Sequence, residues 1–295
     1  MIDINIRKTM HTADGEIDLK PELQVQENAL LALFGKSGAG KTTILRILAG
    51  LETPEAGYIK INGQIWFDSE KKINLTPRFR KVGFVFQDFA LFPNMTVREN
   101  IEYAAADKKT EAEYIDGMLD FMGLKKLADR RPHQLSGGQK QRTALARAVA
   151  LKPKILLLDE PMSLLDDEIK ESLQNEILEI HRKYNITTIL VSHDVSEVFS
   201  MAETVCILED GIIKRQGTPF EVFSGKEENI NGKLKITGKL LNLNKKGNAY
   251  KAEILAGGQI FTKTISAKEA KEYRAKKNVV LLIDIKDINT IKQLS

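Results

Sequence analysis

The sequence predicts an α/β fold with a mainly parallel sheet over its first 225 residues, followed by a small β domain of about 65 residues. Three observations carry this. The segments Ala29–Phe34, Ile155–Leu158 and Thr187–Val191 are short, apolar and bounded by Gly, Pro or polar residues, as buried central strands are. Amphipathic stretches separate them; within Asp167–Tyr184, the residues Ile169, Leu173, Ile177 and Ile180 recur at helical spacing. The texture then changes at Ser224–Gly232, which contains GKEENING, and a boundary is placed near residue 228.

Beyond that boundary come Lys233–Leu243, Ala249–Leu255, Gln259–Ser266, the helical stretch SAKEAKEYRAKK, and Val279–Ile285. Short strands with Gly and Asn turns at this spacing point to a barrel or sandwich.

Composition narrows the class. Hydrophobic residues make up 42% and charged residues 28% of 295, which excludes collagen-like, disordered and disulfide-stapled chains. A single cysteine, Cys206, leaves no intrachain disulfide and favours a reducing compartment. No apolar h-region opens the chain, and no apolar run approaches the roughly 20 residues that cross a bilayer. A cytoplasmic chain is expected, with any membrane role left to partner subunits.

The clearest chemistry is Gly35-Lys36-Ser37-Gly38-Ala39-Gly40-Lys41-Thr42, which fits G-x-x-x-x-G-K-[ST]. The apolar ALLALF leads in and the helical Thr43–Ala49 leads out. Glycines let successive backbone N–H groups wrap a phosphate, and the helix N-terminus adds its positive dipole end. Lys41 then serves the β- and γ-phosphates of a nucleotide, and the Thr42 hydroxyl ligates Mg²⁺.

A second element is Ile155-Leu-Leu-Leu-Asp159-Glu160-Pro161, an apolar strand ending in two acids. Asp159 is expected at the sheet's C-terminal edge, holding Mg²⁺ through water. Glu160 is expected to point elsewhere, because side chains alternate on a strand, and to orient or deprotonate an attacking water. An apolar run ending in Asp-Glu is common alone; beside the phosphate loop it gains meaning.

A third element is Leu135-Ser136-Gly137-Gly138-Gln139-Lys-Gln-Arg142, ahead of a helix of small residues. A Ser-capped helix with glycines at its start accounts for these residues locally. It does not account for a second anion-type helix terminus in a chain with one phosphate loop. With this motif the chain resembles the ATP-binding-cassette (ABC) ATPases: a P-loop NTPase cassette with a helical subdomain, here about 88–150.

The resemblance implies a head-to-tail homodimer in which ATP lies between one subunit's phosphate loop and the other's Ser136, Gly137, Gly138 and Gln139. It implies that Gln87, in VFQDFALFP, senses Mg²⁺ and links to a membrane partner. His193, in Val-Ser-His-Asp, matches the histidine that contacts the γ-phosphate, and Ser163-Leu-Leu-Asp166 matches the loop after the acids, with Leu164 where alanine is usual. His181, beside charged residues on a helix, is expected to be solvated. The family stacks adenine on an aromatic side chain ahead of the phosphate loop, yet Ile2–Val25 holds no Phe, Tyr or Trp; Met10 or His11 is the candidate platform.

Importers are implied by the apolar, surface-directed Asp88–Asn100, a candidate groove for transmembrane permease subunits, and by Gly211–Phe223. The alternative for Asp88–Asn100 is a contribution to the core of the helical subdomain. The hairpin over Trp66–Pro77, then RFRKVGFVFQ, is most similar to molybdate-importer ATPases. The C-terminal segment weakly resembles their molybdate-binding-type (MOP/TOBE), OB-like β-barrel domain. A peripheral ATPase on the cytoplasmic face is implied, fed indirectly by an extracytoplasmic substrate-binding protein. Alternatives are an importer of sulfate, iron, polyamine or sugar, or a soluble cassette acting on nucleic acid.

The net charge of +4 argues against nucleic acid, but it is uneven. Residues 1–225 carry 29 basic and 33 acidic groups; residues 226–295 carry 15 and 7. Either lysines keep a small β domain soluble, or the positive field suits an oxyanion or anionic headgroups.

Overall fold

The computed structural model describes residues 1–12, 15–105, 110–163, 165–223, 233–247, 249–256, 259–267, 270 and 278–284. Contacts divide the chain into Met1–Phe223 and Ser224–Ser295. Leu164 lies outside the described residues, as does most of the helix expected over 266–277.

In the first unit, one sheet runs in the order Ile212–Gly217, Thr204–Glu209, Leu30–Phe34, Thr187–Ser192, Ile155–Asp159, Val82–Val85. All its pairings are parallel except the one joining the first two strands. Leu156, Leu157 and Leu158 are fully buried in succession, so both faces of their strand are covered. Each such side chain contributes roughly 1.5–3 kcal/mol of burial.

The parallel sheet is only part of the unit, which the sequence reading did not anticipate. A second, antiparallel sheet runs Gly15–Leu19, Ile2–Thr12, Ala56–Ile61, Gln64–Asp68, Ile73–Asn74, with Glu22–Val25 also paired to Ile2–Thr12. Its inward residues Ile2, Ile4, Ile6 and Ile59 form one core with Leu31, Leu33, Ile44, Leu45 and Ile47. That core encloses the helix Lys41–Ala49 between the two sheets and so fixes the phosphate loop.

The charged hairpin is the pair Gln64–Asp68 and Ile73–Asn74, in the register Phe67↔Asn74. The buried Arg80 ties it to the phosphate-loop helix. Its guanidinium donates to the helix-end carbonyls of Ile47 and Leu48, at 2.6 and 2.9 Å, and to Leu75 O and Asn74 Oδ1. Burial pulls its pKa down to about 10.

The other face of the parallel sheet packs on Gly137–Ala150, Asp167–Tyr184, Val97–Glu102 and Ala112–Phe121. His181 is a correction: it is buried, with Nδ1 3.1 Å from the Thr188 hydroxyl, and burial lowers its pKa. It sits four residues after Ile177 on the inward stripe, so helical phase outweighs its charged neighbours.

Among its described residues the second unit has four antiparallel strands in the order Gln259–Ile265, Ala249–Ala256, Lys233–Lys246, Asn278–Asp284. The long strand Lys233–Lys246 serves two partners, one for each half. Among the described residues no pairing joins Gln259–Ile265 to Asn278–Asp284, so the pairings given do not by themselves close the barrel expected.

Candidate nucleotide site

Parallel strands carry their functional loops at their C-terminal ends. Here Leu30–Phe34 leads into the phosphate loop, Val82–Val85 into Gln87, Ile155–Asp159 into Glu160, and Thr187–Ser192 into His193. The register Val191↔Asp159 and Ser192↔Phe34 sets three of these ends side by side.

The phosphate loop is built for backbone. A Cβ on Gly35 would sit 2.4 Å from Leu208 O, so only glycine fits. Gly40 caps the helix Lys41–Ala49 at φ 101°, a left-handed conformation, with no side-chain hydrogen bond to the helix start. Lys41 is buried, and its Nζ donates to Gly35 O and Lys36 O, both at 2.8 Å. Burial lowers its pKa, against the pull of Glu160 and Asp159.

The Thr42 hydroxyl donates to Asp159 Oδ1 at 2.9 Å. Asp159 is the last strand residue, and burial raises its pKa, with the Thr42 bond opposing. Glu160 turns away for a reason other than strand alternation: the strand has ended, and Glu160 itself is left-handed at φ 45°. Its amide donates to Val191 O, and its Oε2 lies 3.3 Å from His193 Nδ1.

His193 is 62% exposed, but the turn carrying it is anchored. The Ser192 hydroxyl donates to buried Glu197 at 2.6 Å and accepts from the Asp194 amide at 3.0 Å. Burial raises the pKa of Glu197. Sequence reasoning missed both residues. The available signal was an acid beside Val198 on the inward face of the short helix Val195–Met201.

A cavity of about 610 Å³ gathers Ser37, Gly38, Gly40, Lys41, Thr42, Thr43, Gln87 and Glu160. Met10 and His11, the candidate platform, line it too, as do the ion-paired Lys8 and Glu52, which the sequence reading did not single out. Lys36 and Ala39 border a neighbouring cavity of about 340 Å³ with Asp210. His193 reaches the main cavity through Glu160.

Ser136, Gly137, Gly138 and Gln139 do not line it. They begin the helix Gly137–Ala150 with a closed capping box: the Gln139 amide donates to Ser136 Oγ, and the Ser136 amide donates to Gln139 Oε1.

Among the described residues, no group of three or more His, Cys, Asp or Glu is arranged for a metal. The donors beside the phosphate loop are a hydroxyl, a carboxylate and an amide, a hard-oxygen set that fits Mg²⁺ shared with phosphates.

Residues 20–163 match the family described as ABC transporter. The probable sulfate/thiosulfate import ATP-binding protein CysA of Chlorella vulgaris is 41% identical over 204 residues, covering 68% of this chain and 84% of that protein. CysA 2 of Agrobacterium fabrum is 44% identical, covering 74% of this chain and 63% of that protein. The spermidine/putrescine import ATP-binding protein PotA of Salmonella typhimurium is 41% identical, covering 70% of this chain and 54% of that protein.

Among solved structures, the dimeric ATP-binding cassette MJ0796 bound to ADP and Pi superposes with a TM-score of 0.64 at 30% identity, covering 74% of this chain and 99% of that one. Cassette geometry, sequence motif and relatives agree: the chain belongs to the ABC transporter family, as an ATP-binding cassette whose homologues are ATPases coupled to transport.

Proposed function

We propose that this chain is the ATP-hydrolysing subunit of an importer. The observation that carries the reading is the convergence of four loops from four parallel strands on one sheet edge. Lys41 and the Gly35–Gly40 backbone hold the phosphates, while Met10 and His11 face the base end. Thr42, Asp159 and Gln87 are the residues that would hold Mg²⁺, which neutralises phosphate charge when bound. Glu160 takes the proton of the attacking water, and His193, held by Glu160 and the Ser192–Glu197 contact, steadies the γ-phosphate.

Ser136–Gln139 lie outside their own chain's cavity, so they serve the ATP of a second copy. ATP binding closes the dimer and hydrolysis reopens it. Dimeric relatives such as MJ0796 support this arrangement.

Permease subunits dock in a second, apolar cavity of about 430 Å³ whose wall includes Leu51, Ala90, Phe92, Tyr103 and Leu151. Tyr103 and Leu51 are among the exposed large side chains. No helix among the described residues is long and apolar enough to cross a membrane, which fits a peripheral subunit.

The hairpin and the weak likeness of the C-terminal segment pointed to molybdate. The relatives named for sulfate/thiosulfate favour an oxyanion of the sulfate type; the PotA likeness favours a polyamine as the second reading. The test is the ATPase rate of the complex reconstituted with its permease. An oxyanion-loaded binding protein should stimulate it severalfold; stimulation only by a spermidine-loaded one would end the oxyanion reading. Stimulation by DNA or RNA with no permease would end the importer reading.

A further inference from the structure

Gln87 stands at the tip of a tight turn. The Phe89 amide donates to Phe86 O at 3.0 Å, which leaves Gln87 and Asp88 at the two central positions. Upstream, the turn is continuous with the strand Val82–Val85. Downstream, the chain does something costly: Phe89 and Ala90 are both left-handed, at φ 65° and 43°, with no glycine in either place.

One side chain grips that pair. Arg147, on the helix Gly137–Ala150, donates from Nη2 to Phe89 O at 3.0 Å and from Nη1 to Ala90 O at 2.7 Å. Its guanidinium also stands 5.4 Å from the centroid of the Phe92 ring. The next anchor along the chain is separate. Fully buried Asn100 accepts from the Phe92 amide and donates to Phe92 O, Met95 O and Thr96 O.

We propose that Arg147 is a positioning residue for Gln87: its two-pronged fork holds the left-handed pair that keeps the Gln87 turn closed. A planar fork presents two N–H donors in a fixed, preorganised geometry, whereas an ammonium on a flexible stem must be ordered to reach both carbonyls. Arg147 also walls the apolar groove, so a partner seated there touches the residue that sets the Gln87 turn. This rests on the role proposed above for Gln87.

The test uses the full-length, nucleotide-free chain and the variants Arg147→Met, Arg147→Lys, Ala90→Gly and Arg147→Met/Ala90→Gly, each with its thermal unfolding midpoint. Hydrogen exchange at the Phe89 amide should speed about tenfold in Arg147→Met, while the Phe92 amide, held by Asn100, stays as it was. The kcat for ATP should fall about tenfold with the KM for ATP within about twofold, and Arg147→Lys should fall between. Glycine takes the left-handed conformation without a Cβ clash, so Ala90→Gly should restore at least about a third of the lost protection and turnover to Arg147→Met.

Unchanged exchange at Phe89 in both Arg147 variants would overturn the proposal, as would a loss that Ala90→Gly does not rescue, since that marks a packing role only. Gln87→Ala is measured in parallel. If it turns over ATP at the wild-type rate, the role of Gln87 falls; if it is slow while Arg147→Met is fast, only the clamp falls.

Discussion

Two helices of the first unit begin among glycines, and they begin in opposite ways. Lys41–Ala49 starts from left-handed Gly40 with no side chain bonded to its first turn. Gly137–Ala150 starts from Ser136, whose hydroxyl and amide are both engaged by Gln139. An open helix start with a lysine at its first position takes an anion directly. A capping box ties up the Ser136 and Gln139 amides within the chain, so this helix start can meet a ligand only through the groups the box leaves over. On the function proposed above, the contrast is between a phosphate site supplied by one chain and a helix start that serves a second copy.

The largest expected effect tests the open terminus. Lys41→Ala should weaken ATP binding to the single chain by about 100-fold in titration calorimetry, whereas Ser136→Ala should leave it within about twofold. Equal losses would erase the contrast.

Glu160→Gln comes next. It should bind ATP normally, lower turnover by about 10²–10⁴-fold and elute as a dimer with ATP in size-exclusion chromatography. Turnover at the wild-type rate would remove Glu160 from its role.

The closed terminus has a matched control, because Thr96 and Glu99 form a capping box at the start of Val97–Glu102. Ser136→Ala and Thr96→Ala should each cost about 1 kcal/mol in denaturant unfolding. Only Ser136→Ala should also slow ATP hydrolysis. If both slow it alike, the effect is cap loss and nothing more.

The smallest effect concerns Asp159, whose pKa burial raises from its ordinary 3.8. The stability tied to that group is fully present below its ordinary pKa and is lost as pH rises through the raised one. Asparagine keeps the acceptor for Thr42 but does not titrate. Nucleotide-free Asp159→Asn should therefore melt above the wild type at pH 7, with the gap closing as the pH falls below about 3.8. A lower melting point at pH 7 would mean that the Thr42 contact needs the charge.

Much of the site was legible. The phosphate loop, the acids closing Ile155–Asp159 and the span of Asp167–Tyr184 are written in contiguous residues and their periodicity. The antiparallel sheet was harder, although Ile2, Ile4 and Ile6 alternate, because their partners Ile59 and Ile61 stand far along the chain. His181 was misread for a different reason: its charged sequence neighbours lie on other faces of the helix. Arg147 gave no sign of its contacts, which exist only once a loop and a helix are packed together, and Glu197 offered only its place beside Val198 on an inward face.

The sequence by itself determined which backbone can wrap a phosphate and which residues are chemically able to hold a cation, move a proton or cap a helix. Those properties reside in a few consecutive residues and their allowed conformations. Tertiary structure decided that Gln87 and Glu160 line one cavity with Lys41, that His193 stands against Glu160, and that Ser136–Gln139 stay outside it. Parallel strands are joined only through long crossovers, so the residues at their shared edge are distant in the chain and become neighbours when the sheet closes its hydrogen bonds.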